Sequence, residues 1–173
     1  MRSLYQSVLF PLSALILAGC AAVDVPMTAP PVALVNSAGQ AIGSVTASQT
    51  SGGVTLTIIA SGLPHGLHGL HVHNVGRCDP PGFDSAGSHW NPASKLHGFN
   101  NPQGPHSGDL PNLTVSSSGV ARETAVLAGA SLEGLADADG SALVIHAGAD
   151  DYATDPSGNS GGRIACAVLA PPR

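Results

Sequence analysis

From about residue 41 the chain is built of short runs in which apolar and polar positions alternate. Residues 41–48 and 53–60 alternate on either side of Thr50-Ser51-Gly52-Gly53, which predicts a hairpin of two antiparallel strands. Further strand candidates cover 70–75, 113–117, 120–127 (the last two separated at Ser118-Gly119), 143–146 and 163–169. No amphipathic helical period of useful length interrupts them, and glycine and proline are frequent throughout. Short strands with turn residues between them predict an all-β antiparallel sandwich or barrel. Two segments break the rhythm, residues 76–109 and the shorter 147–162. Loops of that length inside one domain are either functional or tied down.

The N-terminus is written differently. Arg2 precedes an apolar segment, Val8 to Leu17, which is too short to span a bilayer and has the form of a secretory leader. It ends in Leu17-Ala18-Gly19-Cys20, similar to the lipobox of bacterial lipoproteins. We expect residues 1–19 to be the signal peptide, Cys20 to carry the lipid, and the small, proline-rich stretch 20–36 to be a tether. The folded domain is expected over 37–173. Ala21, rather than an acidic residue, follows Cys20, which points to the outer membrane of a bacterial envelope, facing the periplasm. In that oxidising compartment the remaining cysteines, Cys78 and Cys166, are most simply one disulfide, two buried free thiols being the alternative. The net charge of −5 becomes one unit more negative once Arg2 leaves with the leader. An acidic domain with a single lysine, Lys95, is a poor nucleic-acid binder, and that class is set aside.

The candidate chemistry lies in the histidines. His71 and His73 stand two apart on a predicted strand, so both rings leave the same face and can reach one ion. Taken alone, such a pair is more often a surface feature. His146 ends another strand candidate and can supply a third imidazole, a donor set suited to copper or zinc. His89, His97, His106 and Asp109 are spread through the long loop. Three imidazoles and a carboxylate match a closed structural zinc site, and binding would order the loop around the ion.

These residues carry a resemblance to the bacterial copper/zinc superoxide dismutases, in lipoprotein form. It runs through Gly66–His73, Ser85–Pro92, Lys95–Gly98, Pro105–Leu110, Val144–His146 and Gly161–Cys166, over about residues 37–173. Seven residues separate His89 from His97, eight separate His97 from His106, and two separate His106 from Asp109. The resemblance implies an eight-stranded antiparallel Greek-key β-barrel, or sandwich, with two long functional loops. It implies one copper and one zinc per subunit: copper on His71, His73, His89 and His146, zinc on His89, His97, His106 and Asp109, with His89 bridging them. It further implies a Cys78–Cys166 disulfide, an Arg163 that attracts the superoxide anion, and an Asp150 that joins His71 to His97, although Asp151 is adjacent. His68 is expected to hydrogen-bond within the barrel, and Lys95 to add to the positive field. The expected reaction is dismutation of superoxide to oxygen and hydrogen peroxide. The alternative is a copper-sequestering lipoprotein of the same fold without significant turnover. A homodimer is carried forward as the candidate assembly, though no strand bears an interface signature.

Overall fold

The computed structural model describes residues 27–173, so the leader, the lipobox-like residues and Cys20 lie outside the described residues. Nine strands follow in chain order: β1 (Val32–Asn36), β2 (Ala41–Thr50), β3 (Gly53–Ala60), β4 (Gly66–His68), β5 (Leu70–His73), β6 (Leu113–Val115), β7 (Ala121–Ala128), β8 (Ser141–His146) and β9 (Arg163–Ala170). Seven of them form one antiparallel sheet in the order β5-β8-β9-β1-β2-β3-β7, while β4 pairs with β6. β4 leads into β5 across Gly69 alone, and β6 leads into β7 through a short turn. The two ends of the sheet are thereby linked and it curls into a half-barrel. Counted as one strand broken at Gly69, β4 and β5 bring the total to the expected eight.

The hairpin turn falls where the alternation placed it, with Thr50 paired to Gly53. The tether expected over 20–36 needs correction at its C-terminal end, because Val32–Asn36 forms β1 between β2 and β9. Leu34 is fully buried there, and burial of that one side chain in a paired strand outweighs the small-residue, proline-rich composition before it. The strand expected over 70–75 stops at His73. Beyond it, Asn74 N and Val75 N donate to Ser88 O and Ala86 O, so the chain turns into its own long loop.

Alternation within the strands divides the buried side chains into two sets. Leu70, Val72, Leu143 and Ile145 point into the main core with Leu34, Leu56, Ile58 and Leu127. Ala142 and Val144 point the other way and pack with Phe83, Ala86 and Cys166 in a smaller cluster beneath the 76–109 loop. All six residues of β8 are therefore buried, which explains its nearly continuous apolar run. Cys78 and Cys166 are disulfide-bonded across 88 residues and pin this loop to β9.

Gly69 is needed for close approach. A Cβ there would press on Ser160 and on the His71 ring. Its N–H donates to Gly148 O and its C=O accepts from His146 N, so three segments meet at that point. We predict that replacing both Cys78 and Cys166 with alanine costs roughly 2–5 kcal/mol of unfolding free energy. Proteolysis of the native protein should then cut first within 76–88; an unaltered denaturation midpoint would show the bridge to be dispensable.

Candidate metal centre

His71 and His73 leave β5 on the face opposite the main core, beside Val144 and Ala142 of β8. His146 ends β8 on that same face, opposite Arg163 at the start of β9. The other side of β5 is met by the long loop, where His73 bridges to His89 and His71 to Asp109. Backbone bonds from Val72 N to Gly108 O and from Trp90 N to Val72 O hold the loop there. The strand and loop geometry thus collects residues from four separate stretches of chain into one buried cluster.

Ring by ring, the cluster separates into two groups. His73 Nδ1 donates to Gly87 O at 2.9 Å, His146 Nδ1 to Gly161 O at 3.1 Å and His71 Nε2 to Asp150 Oδ2 at 2.7 Å. These bonds fix the tautomers and leave His71 Nδ1, His73 Nε2 and His146 Nε2 buried without a partner, together with His89 Nε2. One ligand atom from each of these four residues lies within 4.8 Å of the others. Four converging, unsatisfied lone pairs in a buried site are costly, and a soft or borderline cation would satisfy all of them.

The second group uses the other nitrogen of His89. Asp109 Oδ1 lies 2.9 Å from His89 Nδ1, 3.1 Å from His97 Nδ1 and 3.3 Å from His106 Nδ1, and the His106 and His89 Nδ1 atoms are 3.2 Å apart. A tetrahedron around zinc, with ligands at about 2.0–2.1 Å, has edges of about 3.3 Å. The donor set fits that ion. His71 also lies near His89, His97 and Asp109, but with its Nε2 on Asp150 it belongs to the first group. The free oxygen of Asp109 accepts from Gly98 N and His106 N, fixing the carboxylate.

Asp150 links the groups, accepting from His71 on one oxygen and from His97 Nε2 on the other at 3.0 Å. Asp151 instead closes its own turn on Thr154 and Asn159. His68 donates towards His146 O and lies against Pro64 O, outside both donor sets, and His65 is exposed. The Arg163 guanidinium donates to Phe83 O at 2.6 Å and to Gly87 O at 2.7 Å. Neutral carbonyls orient it without cancelling its charge. It lines a cavity of about 230 Å³ with His73, His89, His146, Ser157 and Gly161. Lys95 lines a different cavity beside His106, Phe99 and Val126, so its charge is not at the Arg163 opening. Residue type and spacing did not point to a role for Asn112, Tyr152 or Asp155, nor for the carbonyls of Gly87 and Gly161. Tyr152 and Asn112 contact Asp150, and Asp155 accepts from His97 N at 2.7 Å. A backbone acceptor leaves no trace in residue type.

Burial lowers the pKa of His73 to about 2, of His146 to about 3 and of His71 to about 4, so each ring is neutral and ready to act as a ligand. Burial opposes charge on His97 as well, but hydrogen bonds to Asp109 and Asp150 raise it to about 9. Both carboxylates lie well below their ordinary range: burial would raise them, and the histidine hydrogen bonds outweigh it.

The chain matches the family model for copper/zinc superoxide dismutase over residues 41–169. It is 44% identical over 142 residues to the copper/zinc superoxide dismutase 1 of Aquifex aeolicus, covering 79% of this chain and 84% of that protein. It is 45% identical over 146 residues to the superoxide dismutase-like protein YojM of Bacillus subtilis, covering 80% and 74%. Among solved structures, a superoxide dismutase-like protein from Bacillus subtilis superposes with a TM-score of 0.79 at 43% identity, covering 83% of this chain and 99% of that one. The copper/zinc superoxide dismutase of Brucella abortus does so with a TM-score of 0.68 at 29% identity, covering 84% and 99%.

Four histidines depressed by burial (His71, His73, His106 and His146) and one raised, His97, shape the stability of the metal-free protein. The stability from His71, His73 and His146 is present above their unfolded value near 6.5 and is lost as pH falls towards 4. Each contributes up to about 1.4 kcal/mol per pH unit. The stability from His97 is present below about 6.5 and is lost as pH rises through about 9. Urea midpoints of chelator-treated protein should therefore peak near pH 6.5 and fall more steeply on the acid side; a flat profile from pH 4.5 to 8.5 would contradict this.

Proposed function

Since the chain belongs to the copper/zinc superoxide dismutase family, we propose that copper is held by His71, His73, His89 and His146, and zinc by His89, His97, His106 and Asp109. The enzyme dismutates superoxide, converting two superoxide anions and two protons to one oxygen and one hydrogen peroxide, with one copper and one zinc per chain. When bound, copper supplies the one-electron redox chemistry and zinc the fixed charge that holds His89 in place. The observation that supports this reading is the set of four buried ring nitrogens without partners. It favours turnover over copper sequestration, because the same cavity carries the Arg163 guanidinium.

The roles of the chain's own residues follow from their positions. Arg163 offers a charged, oriented donor to a small anion, and on an acidic protein such a local field raises the rate of encounter. The cavity, about 230 Å³, has ample room for a diatomic anion beside the guanidinium. His89 Nδ1 is committed beside Asp109, so Nε2 is the atom that can hold and release a proton next to the substrate. His73 and His146 keep their orientation through Gly87 O and Gly161 O, and thus do not rearrange in the reaction.

We further propose that residues 1–19 are a leader, that Cys20 carries a lipid, and that the segment before β1 tethers the domain to the outer membrane of a bacterial envelope, facing the periplasm. The lipobox-like run Leu17–Cys20 supports this. For the assembly we propose a homodimer. It is supported by exposed Phe99 and Val126, which line one cavity beside β7, the terminal strand of the seven-stranded sheet.

His146→Ala should lower copper to near zero while leaving about one zinc per chain; metal analysis that finds zinc lost instead would overturn the assignment. Arg163→Gln should slow dismutation by roughly tenfold or more and flatten its ionic-strength dependence in pulse radiolysis. Cys20→Ser should move the protein from the membrane fraction to the soluble periplasmic fraction, and Phe99→Asp with Val126→Asp should yield a monomer by sedimentation. A wild-type protein that partitions as soluble would rule out the anchor, and a wild-type monomer would rule out the dimer.

A further inference from the structure

One carboxylate serving two rings holds them only as firmly as it is itself held. Asp150 carries that load at the junction of the two proposed metal groups, and its surroundings are built to stop it turning. The carboxamide of Asn112 grips its backbone from both sides: Asp150 N donates to Asn112 Oδ1 at 2.7 Å, and Asn112 Nδ2 donates to Asp150 O at 2.9 Å. Tyr152 N donates to Asp150 Oδ1 at 2.7 Å, fixing the carboxylate from its other end. The Tyr152 hydroxyl oxygen accepts from Asn112 N at 2.7 Å, which closes the ring of contacts.

Tyr152 also reaches the zinc loop, where its carbonyl accepts from Asn100 N at 2.8 Å and its ring meets Phe99 edge-on at 5.7 Å. To do all this it adopts φ of 61°, a left-handed conformation that an aromatic side chain rarely takes unless its surroundings impose it. Gly158 completes the enclosure, since a Cβ there would collide with the Asp150 carboxylate and the His97 ring. Asn112 lies three residues after Asp109, with Pro111 between them, so one short, stiff segment carries both the proposed zinc carboxylate and the grip on Asp150.

We infer that Asn112 and Tyr152 are positioning residues that clamp Asp150, and through it couple the tightness of zinc binding at His97 to the orientation of His71 in the copper group. The inference rests on the ligand reading proposed above. Neither residue touches a metal-facing nitrogen, so both act through Asp150.

The test uses the mature protein loaded with copper and zinc. Asn112→Ala and Tyr152→Phe, the second keeping ring and backbone, are compared with Asp150→Ala and wild type. Each clamp variant should weaken zinc retention in a chelator competition by about tenfold and shift the Cu(II) electron paramagnetic resonance spectrum towards that of zinc-free wild type. The double variant should lose little more than Asn112→Ala alone, because the two residues act as one device. If the clamp variants merely melt earlier, with wild-type zinc affinity and spectrum while Asp150→Ala loses both, the clamp is overturned and the bridge stands. If Asp150→Ala also keeps zinc and spectrum, the bridge reading fails and the clamp falls with it.

Discussion

The rest of the structure depends on the convergence of lone pairs at one buried place. Four ring nitrogens meet without a proton between them, and three ring nitrogens meet the Asp109 carboxylate beside them. Such an arrangement is unfavourable in a protein interior unless a cation completes it. It also has to be covered, because the rings leave the barrel on the face opposite the main core. The 76–109 and 147–162 loops supply that cover, and they have little apolar core of their own with which to fold.

What holds the loops is accordingly a set of local ties, each fixed to the rigid sheet. The disulfide fastens the long loop to β9, Phe83 seats it on β8, and backbone bonds run it along β5. Asp150 then joins the second loop to both groups of rings. Order in the loops and order in the metal centre are two aspects of the same set of contacts, so ligand binding contributes directly to folding. The sheet has the larger core, to which the long loop adds Trp90.

Charge is distributed to match. His71, His73 and His146 are kept neutral by burial, while His97 is drawn towards its charged form by two carboxylates. Arg163 is held by carbonyl oxygens and keeps its full charge at the opening of the cavity. An acidic domain thus presents a positive group where a small anion must enter, and confines its buried negative charge to the side where the divalent ion is proposed to sit.

By itself the sequence determined the all-β class, the hairpin at Thr50–Gly53, the common face of His71 and His73, and the long loop that carries His89, His97, His106 and Asp109. These depend on residue type and on spacing along a strand, which are local properties. It did not determine that β1 begins at Val32, since a short run after a proline-rich stretch becomes a strand only when β2 and β9 lie on either side of it. Nor did it determine which nitrogen of each histidine is free, because the tautomers are set by carbonyls of Gly87 and Gly161 that any residue type would supply. The choice of Asp150 over Asp151, and the grip of Asn112 and Tyr152 upon it, likewise arise only when segments nearly forty residues apart are folded into contact. Spacing specifies which groups are available to the site, and the closed loops decide which atom of each group faces inward.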